Sequence, residues 1–296
     1  MIAAIPDVLD VEQIGDGEPL LVIEVPHGAT HTADYTGLAA RMRSPLPDGL
    51  IDFFYVNTDT GAPELAPALA ARIVAAHPGR SVLFLRCRMP RTFIDCNRRV
   101  DASAADFKAG GVAPGLMPWV VDADDVALLR DRYDRYVAAT RATFEALPDD
   151  GALLLLHSYA PRTVGVEVDV DIVKSLHAAY APDVVESWPL RPELDVIARG
   201  PDGTVHAPAA VVDALRGELA AVGMTLGDSH AYTLHPSTMG YEHVTRRPGR
   251  GLCLEVRRDL FVDRFEPFVE AAIAPAKVAA LADPIARALL RWWPAA

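Results

Sequence analysis

Cysteine is scarce in this sequence, and its scarcity excludes two kinds of site. Cys87, Cys96 and Cys253 are the three cysteines among 296 residues, and no Cys-x-x-Cys pair occurs. Three scattered thiols exclude a disulfide framework and argue against a zinc site built from thiolates. Such low cysteine use is typical of a reducing compartment, so we expect a cytoplasmic protein.

Long apolar runs and an excess of basic residues are also lacking. No segment approaches the ~18 uninterrupted apolar residues of a membrane span, and residues 1–15 lack the basic and apolar regions of a signal peptide. The formal net charge of -12 argues against nucleic acid as a partner. It permits a small anionic substrate, because a few local arginines can outweigh the overall field. The sequence does not indicate an oligomeric state.

What the sequence does contain is a regular alternation of strand-like and helix-like segments, in a chain that is 51% apolar. Strands are predicted at 10–14, 20–25, 52–57, 81–86, 152–156 and 251–257, with a half-exposed strand or hairpin at 164–173 and an extended segment at 189–199. Helices are predicted at 62–77, 124–147 and 207–222, and a mostly helical stretch at 265–290 is interrupted at Pro275 and Pro284. This alternation predicts one α/β domain over residues 1–296, with a mostly parallel or mixed central sheet flanked by helices.

Three of the predicted strands lead into a residue that can bind a metal ion. His27 follows strand 20–25, Asp59 follows strand 52–57, and His157 follows strand 152–156. The carboxyl ends of parallel strands meet at one edge of a sheet, where ligands bind in open α/β folds. Two imidazoles and one carboxylate are usual ligands of catalytic zinc and leave a fourth position for water. The pattern therefore predicts a site for a divalent metal, with zinc as the expected ion.

Each of these residues also has an alternative interpretation. Asp59 could cap the following helix, and the two histidines could be core residues that hydrogen-bond to their neighbours. Glu24 is a rival carboxylate ligand, although its position inside a buried strand directs its side chain to a sheet face. His31 is a weaker rival on the following loop.

Glu255 stands out because it lies within the apolar strand 251–257. Strand alternation places it on the same side as Cys253 and Arg257. A carboxylate in such a strand is costly unless it is paired or functional. It could form an ion pair with Arg257, or it could be the general base that takes a proton from the attacking water and passes it to a leaving amine.

The segment 86–99 holds five arginines in an otherwise acidic protein. It could be a solvated basic loop, or it could recognise a carboxylate, which a guanidinium group binds through two parallel hydrogen bonds. Asn97 could add an amide donor beside Arg98, and Arg91 could polarise the carbonyl group that is cleaved.

Taken in order, several motifs of this chain resemble the N-formylglutamate amidohydrolase (deformylase) family. They span roughly residues 20–262 and comprise Val25-Pro26-His27-Gly28, Asp59-Thr60-Gly61, Ile94-Asp95-Cys96-Asn97-Arg98, Leu156-His157-Ser158, Arg191-Pro192-Glu193-Leu194, and Leu252-Cys253-Leu254-Glu255-Val256-Arg257. Three departures are visible, and one is that Leu156 stands where the family tends to have an acid just before the His-Ser pair. Thr30 stands where the wider zinc carboxypeptidase group has the Glu of His-x-x-Glu, and the region 227–236 lacks the paired glycines that often precede the family's last strand.

The resemblance implies a zinc-exopeptidase-like fold (phosphorylase/hydrolase-like), related to that of zinc carboxypeptidases and aspartoacylases, with a core at 20–262 and a helical tail at 263–296. It implies that His27, Asp59 and His157 bind the metal, that Glu255 is the base, that Asn97 and Arg98 hold a substrate carboxylate, and that Arg91 supports the carbonyl.

We therefore expect a soluble metal-dependent amidohydrolase that cleaves the amide of an N-acylated acidic amino acid such as N-formylglutamate. The alternatives are a hydrolase for a different amide or peptide, a non-catalytic carboxylate-binding protein on the same fold, and a purely structural protein.

Overall fold

A computed structural model describes residues 2–293, and its centre is a mixed sheet of seven strands. The strands are β1 (Leu9–Gly15), β2 (Glu18–Val25), β3 (Arg80–Cys87), β4 (Ala152–Tyr159), β5 (Leu194–Val196), β6 (Leu226–Asp228) and β7 (Gly251–Arg257). Their order across the sheet is β1-β3-β2-β4-β7-β5-β6. The predicted α/β class with a mixed sheet is thereby confirmed.

Four neighbouring strands in the middle of the sheet run parallel to one another. β3, β2, β4 and β7 form this block, whereas β1 pairs antiparallel with β3 and β5 pairs antiparallel with β7. The carboxyl ends of the four parallel strands therefore lie at one edge of the sheet. Loops that leave these ends converge there, as in other open α/β sheets.

Helices cover both faces of this sheet. They are α1 (Thr32–Ala39), α2 (Leu50–Asn57), α3 (Ala62–Ala76), α4 (Ala104–Ala109), α5 (Ala123–Glu145), α6 (Ile172–Ala179), α7 (Pro182–Val185), α8 (Ala209–Ala220), α9 (Met239–Arg246) and α10 (Pro275–Leu289), with short 3₁₀ turns at Arg258–Leu260 and Leu290–Trp292. None of the helices in residues 2–293 is both long and apolar enough to cross a membrane.

The two faces of the sheet contribute to two separate hydrophobic cores, because successive residues of a strand point to opposite sides. Leu154 and Leu254 belong to the core beneath α3, α8 and α10, which we call the apolar face. Leu155 and Cys253 belong to the core beneath α1, α2, α5 and α6, which we call the site face. Each fully buried leucine contributes about 1.5–3 kcal/mol from removal of its side chain from water.

The predicted strand at 52–57 is wrong, since these residues lie in helix α2. Gly49 precedes the helix with a φ of 68°, a conformation that favours glycine. The side chains of Phe53 and Phe54 pack into the site-face core, whereas those of Tyr55 and Val56 are half-buried. A short apolar run does not distinguish a buried strand from a buried helical turn, so tertiary packing decided the outcome.

The predicted strand or hairpin at 164–173 is also wrong. Residues 163–168 form no ladder, and α6 begins at Ile172. The alternation of the sequence is nevertheless present as alternating burial, because Val164, Val166 and Val168 are half-buried and Glu167 is exposed. The segment is therefore an extended wall instead of a strand in a sheet.

The C-terminal helix differs from its prediction at both prolines. α10 begins at Pro275, which occupies its first turn, and runs without a break through Pro284. The helix packs on α3 and α8 through buried residues that include Leu281, Ile285 and Leu289. Tertiary packing on both sides thus compensates for the hydrogen bond that Pro284 cannot donate.

Candidate metal centre and its cavity

His27 stands just beyond the end of β2, where Pro26 separates it from the strand. Its imidazole is 3% exposed. A side chain on Gly28 would meet Arg86 Cγ at 2.7 Å and the backbone oxygens of Val25 and Cys87 at 3.1 Å, so glycine lets the chain pass here without displacing these neighbours. The backbone therefore fixes the position of this histidine.

Asp59 reaches His27 from the end of helix α2. The backbone N–H of Asp59 donates to the carbonyl of His27 at 3.2 Å, and the Thr58 hydroxyl donates to the carbonyl of Ala29 at 2.5 Å. Asp59 does not cap helix α3, whose N-cap residue is Gly61. The capping alternative is therefore wrong, and the Asp59 side chain is available for the site.

Three predicted metal ligands converge on one point in the structure. Asp59 Oδ2 lies 3.1 Å from His27 Nδ1 and 2.9 Å from His157 Nδ1. The three residues are buried, and each offers a ligand atom within 4.8 Å of the others. This buried His-Asp-His group could bind a metal ion.

The charge balance of the three residues fits a cation. Burial opposes ionisation of Asp59, but the adjacent imidazoles of His27 and His157 hold its pKa well below the ordinary value. Burial lowers the pKa of His157, but its interactions with Asp59 and Cys253 together outweigh burial, so that this pKa lies well above its ordinary value. The carboxylate thus stabilises positive charge at this point, which a proton or a metal ion can supply.

The second ring nitrogen of His27 contacts Asp95, a residue that the sequence interpretation placed in a motif without a role. His27 Nε2 lies 2.8 Å from Asp95 Oδ1. A carboxylate on the outer nitrogen keeps the proton there and leaves Nδ1 as the electron-pair donor, which is the usual arrangement around metal-bound histidines. The only signal in the sequence was one acid inside a run of arginines.

Asp95 also organises the arginine-rich loop that follows β3. Arg91 Nε donates to Asp95 Oδ2 at 2.8 Å, and Arg98 Nη2 lies 3.4 Å from the same oxygen. Arg98 is 4% exposed and also donates to the carbonyl of Ala113. Asn97 accepts a hydrogen bond from the N–H of Gly240 at its Oδ1, so its amide N–H groups remain available. The loop is therefore an ordered part of the cavity wall and not a solvated basic loop.

Glu255 lies beside His157 in the sheet, because these two residues are register partners in β7 and β4. It is 9% exposed, and its Oε2 has no hydrogen-bond partner in residues 2–293. Its pKa is raised by burial, against the opposing charge of His157. Arg257 pairs instead with Asp259 at 2.8 Å and with Glu193 at 3.7 Å, so the proposed Glu255–Arg257 ion pair is absent.

The two rival ligands lie away from the His-Asp-His group. Glu24 is buried on the site face and accepts a hydrogen bond from the Tyr136 hydroxyl at 2.6 Å. His31 is exposed at the start of α1 and contacts Glu270. The geometry therefore brings Asp59, and neither rival, to the two histidines.

A cavity of about 290 Å³ opens over these residues. It is lined by every residue predicted for the site: His27, Asp59, Arg91, Asn97, Arg98, His157 and Glu255. Residues that the sequence interpretation did not assign also line it, among them Arg191, Tyr232 and Arg258. Arg258 Nη2 donates a hydrogen bond to the Ser158 carbonyl at 3.0 Å and lies 3.8 Å from Asp59 Oδ1.

Comparison with known proteins agrees with the architecture. The sequence model of the N-formylglutamate amidohydrolase family matches residues 20–262. No curated protein matches the sequence.

Several solved structures are similar to this chain. An N-formylglutamate amidohydrolase from Ralstonia eutropha is 20% identical, with 96% of each chain covered and a TM-score of 0.58. A gene product of Agrobacterium tumefaciens is 18% identical, with 95% of this chain and 94% of that chain covered and a TM-score of 0.45. A bacteriophage poly-gamma-glutamate hydrolase is 10% identical, with 98% and 92% covered and a TM-score of 0.43.

Proposed function

The chain belongs to the N-formylglutamate amidohydrolase family, and from that premise we propose that it is a metal-dependent amidohydrolase for an N-acylated acidic amino acid such as N-formylglutamate. The observation that carries the proposal is the convergence of His27, Asp59 and His157 beside Glu255 in one cavity. Family membership supports hydrolysis of an amide, and the buried His-Asp-His group supports a metal.

The donor set favours zinc. Two imidazole nitrogens and one carboxylate oxygen match the ligands of many catalytic zinc sites, and the outer carboxylate on His27 matches their usual support. A bound zinc ion would supply Lewis acidity toward a carbonyl and would lower the pKa of water. The ion would be held by His27, Asp59 and His157.

The protein's own groups account for proton transfer. We assign Glu255 as the base that takes a proton from water as the water oxygen adds to the amide carbon. The same proton then passes to the amide nitrogen as the C–N bond breaks, so that the products are a carboxylic acid and a free amino group. The raised pKa of Glu255, caused first by burial, suits a group that must accept and return a proton.

The arginine-rich loop supplies the binding groups. In our assignment, Asn97 and Arg98 hold the α-carboxylate of the substrate, and Arg91 stabilises the charge that develops on the carbonyl oxygen. Asp95 fixes both arginines and orients His27 at the same time. The loop thus couples substrate binding to the position of a metal ligand.

The decisive experiment measures metal content and turnover in the same preparation. We expect about one zinc per chain, hydrolysis of N-formyl-L-glutamate, loss of activity after chelation, and recovery when zinc is restored. Another divalent metal that restores activity better would change the ion but not the reaction. Protein that binds N-formyl-L-glutamate without turnover at any metal content would instead be a carboxylate-binding protein, and the proposal would be wrong.

A second candidate is an amide with a larger apolar group. Val164, Val166, Val168, Ile172 and Leu176 line one wall of the cavity, which a formyl group alone does not require. A panel of N-acyl-L-glutamates of increasing acyl length distinguishes the two. Preference for formyl supports the first candidate, and a rise in kcat/KM with acyl length supports the second.

A further inference from the structure

Arg191 is the exception among the arginines of the cavity. Each of the other four has a carboxylate within 4.0 Å: Arg91 and Arg98 pair with Asp95, Arg162 with Glu186, and Arg258 with Asp59. Arg191 has no such partner in residues 2–293, although it is only 9% exposed. Buried charges in proteins are normally paired, so this one requires an explanation.

Neutral groups hold the Arg191 guanidinium in place. Nε donates to Thr163 Oγ1 at 3.1 Å, Nη1 to the carbonyl of Ala160 at 3.3 Å, and Nη2 to the Tyr232 hydroxyl at 3.1 Å. The rings of Tyr159 and Tyr232 lie 5.0 and 5.4 Å from its central carbon, within the range of cation–π attraction. A guanidinium group has five N–H bonds. Three are used here, which leaves one on each terminal nitrogen.

The position of Arg191 places it at the same sheet edge as the reacting groups. Its carbonyl accepts a hydrogen bond from Arg257 Nη1 at 2.8 Å, and the N–H of Arg257 donates to the carbonyl of Glu193. These contacts attach the segment before β5 to the carboxyl end of β7, two residues beyond Glu255. Tyr232 comes from the region 227–236, which lacks the paired glycines of the family pattern.

We propose that Arg191, held between Tyr159 and Tyr232, is the subsite for a second carboxylate, namely the side-chain carboxylate of the acidic amino acid. The two remaining N–H bonds, one on each terminal nitrogen, match the two oxygens of a carboxylate. This assignment rests on the proposed function, in which Asn97 and Arg98 take the α-carboxylate. It makes Arg191 the residue that selects an acidic side chain over an apolar one.

The experiment compares the binding of two amino acids by calorimetry on the zinc-loaded protein. The probes are L-glutamate and L-norvaline, in which a methyl group replaces the side-chain carboxylate. We expect the native protein to bind glutamate about 10- to 100-fold more tightly, the effect of a hydrogen-bonded charge pair. We expect Arg191→Met to reduce this ratio to about one while leaving norvaline affinity unchanged. Arg191→Lys should retain part of the preference, because charge remains without the planar fork.

Arg162→Met is the matched control, since Arg162 lines the same cavity but is already paired with Glu186. It should keep the native ratio. The proposal is overturned if folded Arg191→Met, judged by its melting curve, retains the preference for glutamate. It is equally overturned if the native protein shows no preference, a result that needs no variant and therefore holds even if Arg191→Met does not fold. Failure of the proposed function gives a different result, namely no hydrolysis of N-formyl-L-glutamate by protein that still prefers glutamate.

Discussion

The two faces of the central sheet are built from the same strands, yet their chemistry differs. On the apolar face, β7 presents Leu252, Leu254 and Val256 to the core beneath α3, α8 and α10. On the site face, the same strand presents Cys253 and Glu255, and the neighbouring strand β4 presents His157. At these positions the apolar face presents only hydrophobic side chains, while the site face combines packing with buried polar groups.

This division has a physical basis. Burying a carboxylate or an imidazole costs free energy unless partners compensate for the lost water, so the site face needs Asp59, Asp95 and the arginines around its histidines. The apolar face needs no such partners and can be filled with leucine, isoleucine and alanine. Function and packing are thus separated by alternation along single strands.

The largest effect should come from Glu255, and it should fall on activity alone. Glu255→Gln removes the proposed base while keeping the size of the side chain, so we expect kcat to fall by about 10²–10⁴ with metal content unchanged. Unfolding in urea should show no loss of stability, since a neutral side chain is easier to bury. The matched control is Glu24→Gln, another buried glutamate on the same face that does not line the cavity. Near-native turnover in Glu255→Gln with metal bound would contradict the role of the base.

Leu254, the neighbour of Glu255 on the apolar face, should affect stability instead of activity. Leu254→Ala leaves a cavity in the apolar-face core, where Leu254 is fully buried, and should lower the free energy of unfolding by about 2–5 kcal/mol. Metal affinity and KM of the folded protein should remain native. If Leu254→Ala lost metal before it unfolded, the two faces would be coupled and the proposed division would be wrong.

Glu24 gives the site face a pH-dependent contribution to the stability of the protein. Burial raises its pKa from 4.5 to about 7, despite the Tyr136 hydrogen bond. The neutral carboxyl group is therefore favoured in the folded protein. The free energy that Glu24 contributes to folding is fully present below pH 4.5. It declines as the pH rises and is lost above pH 7, and the total loss is about 3 kcal/mol. Glu24→Gln should remove this decline, as measured by urea unfolding between pH 4.5 and 8. If the free energy of unfolding varied with pH in the same way in the native protein and in Glu24→Gln, this prediction would be wrong.

The smallest effect is expected for Asp95, whose carboxylate contacts the Nε2 atom of His27. Asp95→Asn should lower zinc affinity about 10- to 100-fold, because it weakens the orientation of His27. Competition with a chromogenic chelator measures the change. Asp101→Asn is the control, since Asp101 pairs with Arg99 in the same region but is exposed. Equal zinc affinity in both variants would mean that Asp95 only supports the loop.

The elements that could be predicted from the sequence are those with long, one-sided patterns. β4 follows from an apolar run of five residues, and β2 and β7 follow from shorter apolar runs that a single glutamate interrupts. Helix α5 follows from its amphipathic stripe, with Asp122 as N-cap. Segment 52–57 could not be assigned correctly, because its run of four apolar residues at 53–56 satisfies a helix or a strand equally well. Asp59 nevertheless lies beside the two histidines as predicted. A strand and a helix over 52–57 would both end just before this residue.

Arg191 shows a different limit of prediction. Its motif was visible in the sequence, but its significance lies in what is missing around it, namely a carboxylate within 4.0 Å among residues 2–293. The absence of a partner is a property of the three-dimensional neighbourhood and has no local pattern. Asp95 is a similar case, because its contact with His27 joins residues 68 positions apart.

The sequence by itself determined which residues of β7 point to each face of the sheet, because the period of two along a strand is local and is contained directly in the order of residues. It also determined the candidate ligands, since a histidine or an acid beside an apolar run is chemically conspicuous. Only the tertiary structure decided that positions 27, 59, 95, 157 and 255 meet. Their distances depend on the strand order β3-β2-β4-β7 and on the path of α2, and these follow from the packing of the whole chain, which no local periodicity specifies.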